Sequence, residues 1–224
     1  MCGGDAIAVC CGDSTVVAGN PVVTGPLARQ CRMTDSPLLP GADALPTLEA
    51  ERIALRMLRP DDADDVYAIF SDPRVMRYWS SPPMTEPAQA AGYIEQIHAW
   101  FERRGGMQWA IVERGEDRVI GTTTLCAFSL EHRRCEIGYA LAADRWHRGL
   151  ATEALATALD FAFGTLPFER VEADIDPRNE PSIRLVERMG FQREGVLRSR
   201  WCIGGEMQDS ALYGLLRSDR ATAT

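Results

Sequence analysis

The residues best suited to bind a charged ligand lie where a strand-like apolar segment, Glu136 to Leu141, runs toward a helix. Arg145, His147 and Arg148 precede Gly149, which opens that helix. Backbone N–H groups at a helix start lack partners within the helix, and a glycine lets a ligand approach the main chain. The two arginines and the histidine can add positive charge. The segment therefore has the chemistry of an anion site, of the kind that a diphosphate would occupy.

Two well-known phosphate-binding loops do not match this segment. A Walker loop needs Gly-Lys-Ser or Gly-Lys-Thr, and a dinucleotide-binding loop needs three glycines at fixed spacing. Residues 145–152 contain neither pattern. A loop with one glycine before a helix is also a common structural turn, so the spacing alone leaves a purely structural role open.

The three histidines give no sign of a metal site or of a catalytic dyad. His98 falls on a predicted helix, His132 in a loop and His147 in the anion loop. Metal triads and serine–histidine pairs need side chains that converge on one place, and this scatter does not predict convergence. No metal is therefore expected.

The seven cysteines do not show the spacing of a zinc site or of a disulfide framework. Cys126, Cys135 and Cys202 stand singly in apolar or strand-like surroundings, where a free thiol behaves as a small core residue. Because disulfide frameworks belong to oxidising compartments, their expected absence indicates a reducing, cytoplasmic location.

The composition is that of an ordinary globular protein. The 224 residues are 46% hydrophobic and 25% charged, and 32 acidic against 24 basic side chains give a formal net charge of −8. This length suits one domain with an appendage. The acidic balance argues against direct nucleic-acid binding and is compatible with a cationic partner. No apolar stretch reaches the roughly 18 residues of a spanning helix, so no membrane association is predicted.

Hydrophobic periodicity predicts the elements that position the anion site. Seven strands are expected at about 52–58, 108–113, 118–125, 134–141, 170–175, 191–201 and 208–216. Four helices are expected at about 60–72, 85–104, 149–163 and 179–189. The last two helices join strands that must run parallel or nearly so. The pattern therefore predicts an α/β fold, with a central mixed sheet of about seven strands and helices on both faces.

Composition also divides the chain. Residues 1–46 are rich in Gly, Pro, Ser, Thr and Asp and are predicted to be mostly disordered. Residues 47–218 are predicted to form the folded domain and residues 219–224 a C-terminal tail. Met33 has the surroundings of a polypeptide start, which favours the hypothesis that residues 1–32 are an upstream extension without a structural role.

Three short motifs follow one another on these predicted elements: RGLATEA at 148–154, NEPS at 179–182 and RMGF at 188–191. Together they resemble the acetyl-CoA-binding core of the GCN5-related N-acetyltransferase (GNAT) superfamily. The likeness covers about residues 48–217 and is closest to the branch that acetylates ribosomal-protein amino termini (RimJ/RimL-like). It implies the GNAT fold, whose mostly antiparallel, twisted sheet splays apart between its fourth and fifth strands.

The resemblance implies that acetyl-CoA is the co-substrate. The family signature Gln/Arg-x-x-Gly-x-Gly/Ala falls on residues 146–151, and Trp146 takes the place of the usual first residue, as in the ribosomal-protein branch. The pyrophosphate is expected on the backbone N–H groups of 148–152, the pantetheine arm along 139–141, and a hydrogen bond to that arm from Asn179. The expected cofactor-binding residues are Tyr139, Ala140, Leu141, His147, Arg148, Gly149, Leu150, Ala151, Thr152 and Asn179.

The resemblance further implies direct attack of a neutral amine on the thioester carbonyl. Such a reaction needs an oxyanion donor, a route for the amine proton and a donor for the departing thiolate. The implied oxyanion donor is the backbone N–H near Leu141. Glu136 shares a strand face with Gly138 and Ala140 by period-two counting and is the candidate general base, directly or through water. An exposed structural glutamate is the alternative.

Ser182 is the candidate hydroxyl for the departing thiolate. Many relatives have a tyrosine four residues before the Gly-Phe pair, but Val186 stands there in this chain. The ribosomal-protein branch uses a serine instead, which the resemblance places at Ser182. Asn179 followed three residues later by Ser182 is also what a capped helix start shows without any catalysis.

The sequence thus predicts an enzyme that transfers an acetyl group from acetyl-CoA to a primary amine. The acceptor is either a protein N-terminal α-amine or a small-molecule amine. Two other functions stay open: a non-catalytic acyl-CoA-binding module, and a ribosome- or partner-associated interaction protein. Dimers are common in the family, so the resemblance also leaves a homodimer open.

Overall fold

The computed structural model describes residues 8–9 and 44–221 of the chain. The strands are β1 Ala8–Val9, β2 Leu48–Glu49, β3 Ile53–Met57, β4 Gly106–Glu113, β5 Val119–Ser129, β6 Arg134–Leu141, β7 Arg170–Ile175, β8 Gln192–Ile203 and β9 Glu206–Leu216. The helices are α1 Ala63–Phe70, α2 Pro73–Met76, α3 Ala88–Glu102, α4 Leu150–Gly164, α5 Glu180–Arg188 and α6 Arg217–Ala221. Short 3-10 turns lie at Pro60–Asp62 and Ala143–Arg145.

All of these strands belong to one sheet, in the order β2-β3-β4-β5-β6-β7-β9-β8, with β1 paired to β6 as well. Neighbouring strands are antiparallel except β6 and β7, which are parallel. The predicted mixed, mostly antiparallel sheet is therefore confirmed. The sheet has seven long strands, as predicted, and the two extra strands, β1 and β2, have two residues each, too few to show a period-two pattern.

The parallel strands β6 and β7 pair over only three positions, from Arg134 opposite Arg170 to Glu136 opposite Glu172. β6 then continues to Leu141 without further partners on β7. These are the fourth and fifth of the seven long strands, so the predicted splay is confirmed. It opens an edge of β6 that leads directly to α4.

Two hydrophobic clusters hold the helices on opposite faces of the sheet. Tyr139 belongs to the larger cluster, together with Leu155 of α4 and Val186 of α5. Ala140, the next residue of β6, belongs to the cluster formed with α1, α2 and α3, which includes Phe70. This alternation follows from the period of a β-strand, and burying each large apolar side chain stabilises the fold by about 1.5–3 kcal/mol.

A buried ion pair fixes the start of α1 against the sheet. Arg56 of β3 donates from Nη1 and Nη2 to the two carboxylate oxygens of Asp62, at 2.7 and 2.8 Å. The side chains are only 8% and 7% exposed. The hydrogen bond that Arg56 donates to Asp62 raises the pKa of Arg56 against the opposing effect of burial, so the guanidinium stays charged in the folded chain.

Cys126 departs from the expectation of free core thiols, because it is disulfide-bonded. Cys135 and Cys202 are free. Spacing along the chain could not show this, since a single disulfide needs only two cysteines that meet in space. Burial raises the pKa of the Cys135 thiol well above its ordinary value, which keeps it protonated and inert.

Several expectations fall outside this structural description. Apart from residues 8–9 and 44–46, the stretch predicted to be disordered, 1–46, lies outside the described residues, as do 222–224 of the predicted tail. Within residues 44–221, no helix combines the length and the apolar character needed to cross a membrane. The same part of the chain holds no cluster of His, Cys, Asp or Glu suited to a metal ion.

Candidate active site

The loop between β6 and α4 is shaped by two residues in the left-handed region. His147 has φ 61° and Gly149 has φ 75°, the latter a conformation that favours glycine. The indole Nε1 of Trp146 donates to the carbonyl of Leu141 at 2.8 Å and closes the loop onto the end of β6. Gly149 is the N-cap of α4 and has no side chain with which to cap it. The first N–H groups of α4 are therefore left for a ligand.

A cavity of about 300 Å³ lies over this helix start, between α4 and α5. Such a volume is at the lower end of the range for small-molecule sites. Its lining residues are Leu141, Arg145, His147, Gly149, Leu150, Ala151, Thr152, Pro181, Arg184, Leu185 and Arg188. The loop predicted from sequence to bind an anion therefore faces a real cavity.

Three arginines line the cavity, but they do not contribute equally. Arg145 donates to Glu113 at 2.8 Å and to Asp144 at 2.7 Å, so much of its charge is compensated. Its hydrogen bond to Glu113 also raises its pKa. Arg184 forms an exposed ion pair with Glu180 at 3.2 Å. Arg188 forms no ion pair with any residue that the structure describes, and it is the cation best placed to attract a phosphate.

The main chain at the end of β6 directs its polar groups toward the open edge. The N–H of Ala142 donates to the carbonyl of Ile120 on the β5 side at 2.8 Å. Because successive residues of an antiparallel strand direct their N–H and C=O groups to opposite edges, those of Leu141 and Tyr139 point away from β5. The groups expected to hold a pantetheine arm and a thioester oxygen thus face the splay.

In this structure β1 lies along the same edge of β6. Ala8 is registered opposite Ala140, and Val9 opposite Tyr139, in antiparallel pairing. A two-residue strand therefore uses the backbone positions that an extended ligand would need.

Comparison with known proteins decides the family. The family model described as "Acetyltransferase (GNAT) domain" matches residues 52–192, more than half of the chain. The chain belongs to the GNAT acetyltransferase family. The uncharacterized N-acetyltransferase YoaA of Bacillus subtilis (strain 168) is 34% identical over 172 residues, which cover 77% of this chain and 97% of YoaA. The spermidine N(1)-acetyltransferase of Escherichia coli (strain K12) is 28% identical over 162 residues, covering 72% of this chain and 84% of that enzyme.

A solved structure agrees with the GNAT assignment. RimJ of Mycobacterium smegmatis, determined in complex with CoA-disulfide, superposes with a TM-score of 0.70 at 25% sequence identity. The match covers 78% of this chain and 88% of RimJ. The resemblance to the GNAT superfamily and to its RimJ-type members, expected from three short motifs, is thereby confirmed.

The two candidate catalytic residues of this GNAT domain lie on different sides of the sheet. Glu136 is half-buried on β6, on the side of Ala140 and the α1–α3 cluster. Ser182 is fully buried in the first turn of α5, which packs on the other side.

Asn179 has a defined structural role. Its Oδ1 accepts from the N–H of Ser182 at 3.3 Å and caps α5. Burial raises the pKa of the Tyr139 phenol, and the neighbouring Ser182 and Arg188 oppose part of that rise. The Tyr139 hydroxyl is buried without a well-aligned hydrogen bond to any described group. Asn179 thus caps α5, and its expected hydrogen bond to a cofactor stays a prediction.

Sequence reasoning missed the contribution of α5 to the cavity. Pro181, Arg184, Leu185 and Arg188 recur at three- and four-residue spacing and so share one helix face. That periodicity was readable in the sequence. What it does not reveal is that this face turns toward the start of α4, because the two helices are separated by β7.

Proposed function

We propose that this GNAT domain transfers an acetyl group from acetyl-CoA to a primary amine. The observation that carries the proposal is the cavity at the start of α4, where uncapped backbone N–H groups and Arg188 converge. Helix starts of this kind are anion sites because unpaired donors and the helix dipole act in the same direction. The adjoining splay of β6 from β7 supports an extended arm running inward from that anion.

The residues present suit acetyl-CoA as a substrate. The N–H groups of residues 148–152 and the side chains of His147 and Arg188 would hold the diphosphate. The outward-pointing main chain of Tyr139 would pair with the amide groups of the pantetheine arm, as a neighbouring strand does. When bound, acetyl-CoA supplies an activated acetyl thioester.

In the proposed reaction, the amine nitrogen forms a bond to the acetyl carbon as the carbon–sulfur bond breaks. Glu136, directly or through water, takes the proton that the amine loses. The N–H of Leu141 donates to the carbonyl oxygen as negative charge develops on it. Ser182 donates a hydrogen bond to the departing thiolate. No covalent enzyme intermediate is needed, and no cysteine takes part.

Two classes of acceptor are supported by different relatives. The spermidine N(1)-acetyltransferase of Escherichia coli has a polyamine in its name, whereas the RimJ likeness supports a protein amino terminus. The net charge of −8 suits either class, because both carry positive charge at neutral pH. We therefore propose that the acceptor is a cationic molecule that carries a primary amine.

Calorimetry with acetyl-CoA, followed by a panel of amines monitored through release of free thiol, tests this function. The panel should hold spermidine and short peptides with free amino termini. Binding followed by thiol release with one class identifies the acceptor. Binding of acetyl-CoA without release of thiol with any amine favours a non-catalytic acyl-CoA-binding module. Absence of binding, with no protection by CoA against thermal unfolding, contradicts the proposal and favours an interaction protein.

A further inference from the structure

Arg52, the residue that precedes β3, contacts the anion loop although it lies about a hundred residues away along the chain. Its Nη1 donates to the carbonyl oxygen of Arg148 at 2.8 Å. Its Nε donates to Oε2 of Glu153 at 2.8 Å, and its backbone N–H donates to Oε1 of the same carboxylate at 2.6 Å. One residue thus holds both the last loop carbonyl before Gly149 and the first turn of α4.

The bond to Arg148 determines where the next N–H group points. The peptide bond is planar and trans, so the carbonyl of Arg148 and the N–H of Gly149 point in opposite directions. With the carbonyl held toward Arg52, the Gly149 N–H is directed away from it. Gly149 lines the cavity on its other side. The Arg52 guanidinium also packs against Gly149, since a Cβ added there would lie 3.4 Å from Nη2 of Arg52.

Glu153 would otherwise work against a bound diphosphate. It lies in the first turn of α4, only 15% exposed, close to the helix start that the phosphates would occupy. Burial tends to raise the pKa of Glu153, but the hydrogen bonds from the backbone and side chain of Arg52 outweigh burial and lower it. Glu153 is therefore ionised at neutral pH, and Arg52 compensates its charge.

We propose that Arg52 is a positioning residue for the diphosphate of the acyl donor: it orients the Gly149 N–H into the cavity and compensates Glu153. This inference rests on the proposed function for its ligand. It does not make Arg52 a catalytic residue, because Arg52 is absent from the residues that line the cavity.

Three variants of the full-length chain test the role. Arg52→Ala should weaken acetyl-CoA binding, measured by calorimetry, by about tenfold, which is the loss expected for one charged hydrogen bond, and should leave kcat at saturating acetyl-CoA unchanged. Arg52→Lys keeps the charge, but a single ammonium group cannot reproduce the planar fork that reaches both Arg148 and Glu153. It should therefore bind acetyl-CoA nearly as weakly as Arg52→Ala.

Arg114→Ala is the matched control. Arg114 donates to the carbonyl of Ala50 at 2.7 Å and to Glu49 at 3.0 Å, and its side chain is 52% exposed against 50% for Arg52. It makes the same kinds of contact but does not touch the anion loop. Its removal should leave acetyl-CoA affinity at the wild-type value. Equal affinities of wild type and Arg52→Ala, full affinity in Arg52→Lys, or an equal loss in Arg114→Ala would each overturn the inference.

Hydrogen exchange in the free protein separates this inference from the proposed function. The N–H of Glu153 donates to the carbonyl of Gly149 at 3.1 Å in the first turn of α4. That amide should exchange faster in Arg52→Ala than in wild type or Arg114→Ala, whether or not any ligand binds. If wild type fails to bind acetyl-CoA, the proposed function fails and the exchange result alone decides whether Arg52 orders the loop. Unchanged exchange overturns the inference even if wild type binds acetyl-CoA.

Discussion

Glu136 and Glu172 stand opposite each other as the last paired residues of β6 and β7, at the closed end of the splay. Glu172 is held in place by Arg134 at 2.8 Å and by Arg170 at 2.7 Å. Two carboxylates side by side would repel each other, and the two arginines offset that repulsion at Glu172. The two carboxylates thus divide by role: two arginines hold Glu172, and Glu136 is the candidate general base.

This division predicts different outcomes for two otherwise identical substitutions. Glu136→Gln should lower kcat by about 100-fold, because the amine loses its general base. The KM for acetyl-CoA should stay unchanged, since Glu136 is remote from the anion loop. Glu172→Gln is the control: it should lower the free energy of unfolding by up to about 1 kcal/mol, as partly exposed ion pairs do, with a smaller effect on kcat. Steady-state kinetics in which both variants lose kcat equally would contradict the assignment.

Ser182→Ala tests the thiolate donor. The substitution keeps the backbone N–H that Asn179 caps, so α5 should remain intact and acetyl-CoA affinity nearly unchanged, while kcat falls. Asn179→Ala is the complementary variant, and it should lower the free energy of unfolding by about 1 kcal/mol through loss of the cap. Thermal unfolding and turnover measured on both variants separate the two roles. Unaltered turnover in Ser182→Ala removes the serine from the mechanism.

Long periodic elements were predictable from sequence to within a few residues. β6 and β7 have the predicted bounds, 134–141 and 170–175, because alternation and flanking turn residues are both strong there. α2, Pro73–Met76, follows the end of the helix expected at about 60–72 and was not predicted as a separate helix. Four residues are barely one helical turn and carry no measurable apolar period. Short elements of this kind depend on tertiary packing, here the burial of Val75 and Met76.

The anion loop was predictable from the sequence, but the contact of Arg52 with that loop was not. Residues 147–152 were recognisable from a local pattern, in which a glycine stands between a basic loop and a helix of small residues. Arg52 leaves no such pattern, because its bond to Arg148 joins positions 96 residues apart. A guanidinium near β3 is equally consistent with a solvated surface residue until the sheet brings β3 and α4 together.

The stability of the chain should depend on pH through Glu153. Its pKa is lowered in the folded state from an ordinary value of 4.5. A carboxyl group with a lowered folded pKa stabilises the fold fully above its unfolded pKa, and that contribution is lost as the pH falls through the folded value. The difference in free energy of unfolding between wild type and Glu153→Gln, from urea titrations, should therefore be constant above about pH 4.5 and shrink below it. The pH-dependent part should be smaller, but not absent, when both proteins carry Arg52→Ala, because the backbone N–H of residue 52 still donates to Glu153; an unchanged pH dependence would show that the Arg52 side chain does not contribute.

Asp62→Ala should be among the most destabilising single substitutions at the start of α1, where Asp62 is buried. It would leave the Arg56 guanidinium buried without its main partner, because the side chain of Asp117, the other partner, is 69% exposed. Breaking a buried pair in this way costs about 3–5 kcal/mol. The double variant Arg56→Met with Asp62→Leu should lose less than Asp62→Ala alone, since no buried charge remains. Urea unfolding of the two variants checks this order, and the reverse order would show that the pair stabilises the fold beyond its packing.

We expect β1 and the acyl donor to compete for the open edge of β6. β1 lies opposite Tyr139. If the acyl donor binds as proposed, its pantetheine arm needs the same outward-pointing groups of Tyr139, so the donor would bind fully only after β1 has left that edge. When only a fraction of the chains is in the conformation that binds a ligand, the apparent affinity for that ligand is the intrinsic affinity multiplied by this fraction. Val9→Pro removes an N–H group from β1 and should tighten acetyl-CoA binding several-fold in calorimetry. Val9→Ala keeps that N–H and should bind like wild type. Equal affinities of Val9→Pro and Val9→Ala would mean that β1 and the acyl donor do not compete for β6.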